Sequence, residues 1–181
     1  NLAHHFQQNP SDFAEYHKVR DECFKTFDPE DIPCNRIIAE LEKIKTKKGG
    51  KRVIEMGCGR AQRSEHFKDD ARFHFINYDH VAINETVQVC DISKMPLEDD
   101  SVDICIMSLA LWGSNFEEYI REAYRVLETN STLYIIDSTK RWSREGEQCA
   151  SILKQMLETN GFQIKEKDTR VDKWCFFKCS K

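Results

Sequence analysis

Apolar positions along this chain follow two different periods. Between residues 11 and 44 they recur every three or four positions, at Phe13, Tyr16, Val19, Cys23, Phe24 and Phe27, then at Ile37, Ile38, Leu41 and Ile44. That spacing lines one face of a helix, so two helices are expected. The first is capped by Ser11 and stopped at Asp28-Pro29, and the second is opened by Pro33. From residue 53 onward short apolar runs take over: Val53 to Met56, Phe73 to Tyr78, Val87 to Cys90, Val102 to Met107 and Thr132 to Ile136. Such runs suit strands covered on both faces, as in a parallel sheet. Helical stripes stand between them at Phe116, Tyr119, Ile120, Ala123, Val126 and Leu127, and again at Ile152, Leu153, Met156 and Leu157 before Asn160-Gly161. Phe162 to Lys167 and Trp174 to Cys179 alternate and read as a terminal antiparallel hairpin. Strand and helix alternating five times before a hairpin predict an α/β, Rossmann-like sheet of seven mostly parallel strands. An N-terminal helical cap is expected over residues 1–50 and the sheet core over 51–181, together one compact domain.

The candidate chemistry gathers after the first strand, in Glu55-Met56-Gly57-Cys58-Gly59-Arg60. Two glycines one residue apart, followed by a polar segment able to start a helix, read as strand, tight turn, helix. A side chain at Gly57 is expected to fill space a ligand needs. Asp79 ends the second strand twenty residues after Gly59, the distance at which an acid suits a ribose hydroxyl pair. Asp91-Ile92 ends the third, offering a carboxylate for an amine and an apolar side chain for a ring face. The third glycine of a dinucleotide fingerprint is replaced by Gln62, so phosphate binding is not demanded. Together these features predict an adenosine site on a seven-stranded sheet of the class I S-adenosylmethionine-dependent methyltransferase kind.

Composition narrows the context. No apolar run reaches membrane-spanning length and no signal peptide is seen, while Asn1 in first place suggests part of a longer protein. Eight cysteines form no Cys-x-x-Cys pair, and Cys90, Cys105, Cys175 and Cys179 sit in strand-like runs, so reduced thiols are expected and no metal site. The net charge of -4 excludes a wholly basic surface. Positive charge is bunched at Lys43 to Arg52 and at Lys140, Arg141 and Arg144 around Trp142. The second cluster follows strand five and so emerges beside the crevice, where it is expected to contact RNA; the first is expected to be mainly solvated.

Four pieces resemble the ribosomal RNA-processing protein 8 family, also called nucleomethylin. They are Tyr16-His17, Glu55-Met56-Gly57-Cys58-Gly59, Val89-Cys90-Asp91-Ile92 with Met95-Pro96-Leu97-Glu98-Asp99 and Ser101-Val102-Asp103, and Ser108-Leu109-Ala110-Leu111-Trp112-Gly113-Ser114-Asn115. The resemblance runs from about Tyr16 to Lys178. It implies a nuclear, nucleolar enzyme that methylates adenine N1 in large-subunit ribosomal RNA, using S-adenosylmethionine and releasing S-adenosylhomocysteine. It also implies a cofactor pocket of His17, Gly57, Asp79, Asp91, Ile92 and Ser108, beside Gly59, and chromatin partners in a silencing complex. Trp112 reads either as core or as a base-stacking platform, Asn115 as a helix N-cap or a substrate contact, and Trp142 as a stacking surface or a cover for the sheet edge. No catalytic side chain is identified.

Three departures from the family fall outside the implied cofactor residues. Glu128-Thr129-Asn130-Ser131-Thr132 stands where Lys-Pro-Gly-Gly is usual, with Asn130 able to take a left-handed turn. Phe27-Asp28-Pro29 stands for a Trp-Pro, and Trp112 for a smaller apolar residue. Two further classes stay open: a methyltransferase with a protein or small-molecule acceptor, and a non-catalytic cofactor-binding module.

Overall fold

The structure is a computed structural model that describes residues 2–45, 49–147, 149–169 and 173–181. In chain order the elements are α1 (Leu2–Gln8), α2 (Pro10–Phe24), a 3-10 turn (Pro29–Asp31), α3 (Pro33–Glu42), β1 (Lys51–Met56), α4 (Gln62–His66), β2 (Phe73–Asp79), β3 (Val87–Val89) and β4 (Val102–Ser108). There follow α5 (Phe116–Val126), β5 (Leu127–Ser138), α6 (Thr139–Trp142), α7 (Ser151–Thr159), β6 (Gln163–Asp168) and β7 (Trp174–Ser180). One seven-stranded sheet has the order β3-β2-β1-β4-β5-β7-β6. It is parallel from β3 to β5, and β7 runs antiparallel to both neighbours. The expected sheet and terminal hairpin are therefore present. Part of the basic run, residues 46–48, lies outside the described residues.

Side chains alternate between two cores. Ile104, Ile106, Tyr134, Ile136 and Phe176 face α3 and α4, where Ile37, Leu41 and Phe67 cover them. Cys105, Met107, Leu133, Ile135, Cys175 and Phe177 face α5, α6 and α7. Because both faces are buried, a period of two in the strands reads as an unbroken apolar run in the sequence.

The structure corrects several expectations. Alternation is incomplete: β2 joins β3, and β3 joins β4, with no helix among the described residues. α1 was not expected. Ser11 lies inside α2, which opens at Pro10 with Asn9 in the N-cap position. Of the α2 stripe only Phe13 is buried, together with His17, while Tyr16 and Val19 are exposed. The reason is that α2 crosses the strand tips instead of lying along the sheet. β5 begins at Leu127, which pairs with Val102, and the left-handed turn at Asn130 (φ 65°) falls within it. Lys140 to Trp142 form a short helix in place of a loop.

A buried ion pair sits under the first turn. Glu55 of β1 is fully buried, and Arg63 of α4 donates to it from Nε at 2.7 Å and from Nη2 at 3.4 Å. Burial pushes the Glu55 carboxyl up, and the facing guanidinium opposes this. Removing one partner strands the other charge in the core. Arg63→Met should lower unfolding free energy by about 3–5 kcal/mol, and the Glu55→Leu/Arg63→Met pair by much less. Urea denaturation of both variants checks this; equal losses would mean that packing, not charge, decides the cost.

Candidate cofactor site

The chain leaves β1 toward β2 on one side and leaves β4 toward β5 on the other, so the strand order switches between β1 and β4. A crevice forms beyond the carboxyl ends at such a point. Gly57 (φ 77°) and Gly59 (φ 56°) build its floor in the left-handed region, which glycine enters without strain. The tip of β2 holds this turn: Tyr78 O accepts from Gly57 N (2.9 Å) and Cys58 N (3.0 Å), and Asp79 Oδ2 from Gly59 N (2.7 Å). A Cβ on Gly57 would lie 2.7 Å from that of Ala110. A side chain there meets the β4 loop first, which replaces the expected reason for glycine at this position.

Each implied cofactor residue stands at a strand tip or over the turn. Asp79 is buried, and its Oδ1 accepts from the His80 amide at 2.8 Å. Cys90 N donates to Asp79 O at 2.9 Å, drawing the neighbouring Asp91 toward the same tip. Asp91 is exposed, with Oδ1 accepting from Ser93 N (2.9 Å) and Oγ (2.7 Å), and Ile92 packs half-buried against the α5 core. Ser108 ends β4; the next residue, Leu109, takes φ 54° and turns Ala110 onto Gly57.

His17 comes from α2 and covers the turn. It is 4% exposed, and a Cβ at Gly59 would collide with its imidazole. Burial, aided by the charge of Arg20 and opposed by that of Asp79, lowers its pKa to about 4, so the ring is neutral. Its Nδ1 is buried without a hydrogen-bond partner. An open nitrogen over a glycine cradle, with an acid at the next strand tip, fits a nucleoside-bearing cofactor.

The acceptor-side candidates separate. Trp112 is 55% exposed on the β4 loop, and the Arg141 guanidinium lies over its ring at 5.2 Å. Trp142 is 2% exposed and packs edge-on against Phe116 at 5.1 Å, so it is a core residue and no stacking surface. Asn115 occupies the N-cap position of α5 without a side-chain cap; its amide donates to Glu118 (2.7 Å) and accepts from Tyr119 OH (2.9 Å). Lys140 and Arg144 are exposed, Arg144 donating to Gln155 at 3.1 Å. Sequence reasoning missed His80 and the fully buried Asp137 at the end of β5. Burial pushes the Asp137 carboxyl up, while the Ser138 amide, the Arg141 charge and Trp142 draw it down. Only position after an apolar run marked either residue, which is weak by itself. A larger hollow of about 630 Å³ lies by α4, β2 and Asn84 to Thr86, where the β2–β3 connection lacks a helix; it is not at the crevice.

The profile of a family described as "Hypothetical methyltransferase" matches residues 1–181. The chain belongs to this methyltransferase family. It is 32% identical over 168 residues to the 25S rRNA (adenine(645)-N(1))-methyltransferase of Schizosaccharomyces pombe, covering 90% of this chain and 52% of that protein. To ribosomal RNA-processing protein 8 of Caenorhabditis elegans it is 35% identical, covering 84% and 43%. The resemblance noted from the motifs is thus borne out, and the chain spans about half the length of these relatives. Two solved structures share the fold: a TehB-like S-adenosylmethionine-dependent methyltransferase from Corynebacterium glutamicum and 1,6-didemethyltoxoflavin-N1-methyltransferase from Burkholderia thailandensis, bound to S-adenosylhomocysteine. The first has a TM-score of 0.69 at 14% identity over 96% of this chain and 100% of that one. The second has 0.67 at 15% over 94% and 86%.

The buried His17 has a stability signature. Its pKa is depressed, so the unfolded chain binds the extra proton first as pH falls, and the folded state loses stability from about pH 6.5 down to about 4. The full loss is about 3 kcal/mol. His17→Gln should flatten the stability profile across that window relative to the parent; parallel profiles would show that His17 does not carry the effect.

Proposed function

We propose that the chain is the catalytic part of an S-adenosylmethionine-dependent methyltransferase that methylates N1 of an unpaired adenine in large-subunit ribosomal RNA, acting in the nucleolus. The observation that carries the reading is the glycine turn clamped to the β2 tip, with Asp79, Asp91 and His17 around it. Asp79 would take the ribose hydroxyls, Asp91 and Ile92 the adenine, and the Gly57–Gly59 turn with Ser108 the amino-acid end. His17, neutral and with an open nitrogen, offers a polar contact without a competing positive charge.

When bound, this cofactor supplies a methyl group already activated on a sulfonium. Adenine N1 carries its own lone pair, so the chain need not provide a strong base. Its task is to align the base and exclude water. N1 lies on the pairing edge, so the base must leave any duplex first. Trp112 has the exposure for a stacking platform on the β4 loop, and Lys140 and Arg144, exposed after the carboxyl end of β5, would be available for phosphate contacts. The name of the Schizosaccharomyces pombe relative supports adenine N1 as the acceptor.

Calorimetry should give saturable binding of S-adenosylhomocysteine and none of nicotinamide dinucleotides. Asp79→Asn, which keeps an acceptor for Gly59 but removes the charge, should weaken binding by about 1–3 kcal/mol. An unchanged affinity would remove Asp79 from the ribose.

Labelled S-adenosylmethionine with total RNA from cells lacking the protein should yield N1-methyladenosine in the large-subunit RNA. Trp112→Ala should lower kcat/KM about tenfold or more with cofactor affinity unchanged. Transfer to protein instead would replace the acceptor, and cofactor binding without transfer to any acceptor would favour a binding module with chromatin partners.

A further inference from the structure

His80 follows Asp79 directly and carries no role in the reading so far. Its Nδ1 lies 2.7 Å from Asp79 Oδ1, the oxygen that also takes its backbone N–H. The other carboxylate oxygen takes Gly59 N. His80 and the glycine turn therefore grip one carboxylate from two sides. The His80 ring also meets the N-terminal helices. Phe6 of α1 stacks on it at 6.1 Å with planes 28° apart, and Phe13 of α2 meets it at 4.8 Å. Phe13 also packs edge-on against His17 at 4.5 Å, and His17 covers Gly59. One phenyl ring thus touches both the imidazole that holds the acid and the imidazole that covers the glycine.

α2 is held by His17 over Gly59, by the Arg60–Asp21 bond (3.1 Å) and by Phe24 against Trp174, while the apolar contact of α1 is small. Phe6, Phe13 and Val81 form a cluster apart from both sheet cores. Elements resting on few apolar contacts open at low cost. A cavity of about 20 Å³ lies between Arg20 and Phe24 of α2 and the Gly57 and Ser108 tips. Ligand pockets run to about 300–1,000 Å³.

We propose that His80 is a positioning residue of the cofactor site, fixing the Asp79 carboxylate and tying α1 and α2 to it through Phe6 and Phe13. Seating of the N-terminal helices and orientation of the ribose-binding acid then occur together, and a ligand that favours one favours the other. This rests on the reading of the crevice as an S-adenosylmethionine site.

Two variants split the two roles. His80→Phe keeps a ring for Phe6 and Phe13 but has no nitrogen for Asp79. His80→Asn keeps a nitrogen near the Nδ1 position but has no ring. S-adenosylhomocysteine affinity is read by calorimetry, and amide exchange of α1 and α2 is read with and without it. In the parent, binding should slow exchange in both helices. His80→Phe should bind about tenfold more weakly, with α1 protection in the free protein retained. His80→Asn should exchange faster in α1 and α2 and gain less protection on binding. Phe6→Ala should weaken binding in the parent yet add nothing in His80→Asn. Parent-like binding and protection in both variants, or additive effects of Phe6→Ala and His80→Asn, would overturn the proposal alone. No binding by the parent would overturn the cofactor reading and the proposal with it.

Discussion

Three successive backbone N–H groups, those of Gly57, Cys58 and Gly59, are held by the last two residues of β2, through Tyr78 O and Asp79 Oδ2. The other parts of the site are arranged around this clamp. It forces the turn into left-handed backbone, which only glycine adopts freely, and it leaves Asp79 buried with its carboxylate aimed at the crevice floor. The β4 loop then packs Ala110 against Gly57, and α2 brings His17 over Gly59. Beneath it, Glu55 and Arg63 tie β1 to α4 with a charge pair that has no water to fall back on. The site is thus assembled from the ends of β1, β2, β3 and β4 and from the middle of α2, each contributing one or two residues.

Much of this is legible in sequence because it rests on local pattern. Apolar runs mark strands buried on both faces, and Gly57-x-Gly59 with Asp79 twenty residues on marks the turn and the acid. What is not legible depends on tertiary placement. The α2 stripe looked like a core face, yet Tyr16 and Val19 stay in solvent because α2 spans the strand tips. Trp142 lay in a basic segment that read as a loop, yet α6 turns its ring onto Phe116. The missing helices beside β3 had no signal, since polar stretches of this length serve equally well as loops. Leu127 read as the end of a helical stripe because the strand starts without a break after α5.

The division of labour suits methyl transfer. The cofactor would bring the reactive group, so the chain would need alignment more than acid–base chemistry, a task that the neutral His17 and buried Asp79 would suit. On the acceptor side, an exposed Trp112 braced by Arg141 contrasts with the polar, self-bonded Asn115. Under the proposed function, Trp112 would offer a ring face on which an unpaired base could stack.

The central claim is that the β2 clamp builds the cofactor floor. A crystal structure of the chain with S-adenosylhomocysteine tests it most directly. The account predicts ribose hydroxyls within hydrogen-bonding distance of Asp79, the amino-acid end over the Gly57–Gly59 turn, and the Gly59–Asp79 hydrogen bond retained. A ligand bound in the hollow beside α4 and β2, or a turn that releases Asp79 to receive it, would contradict the account.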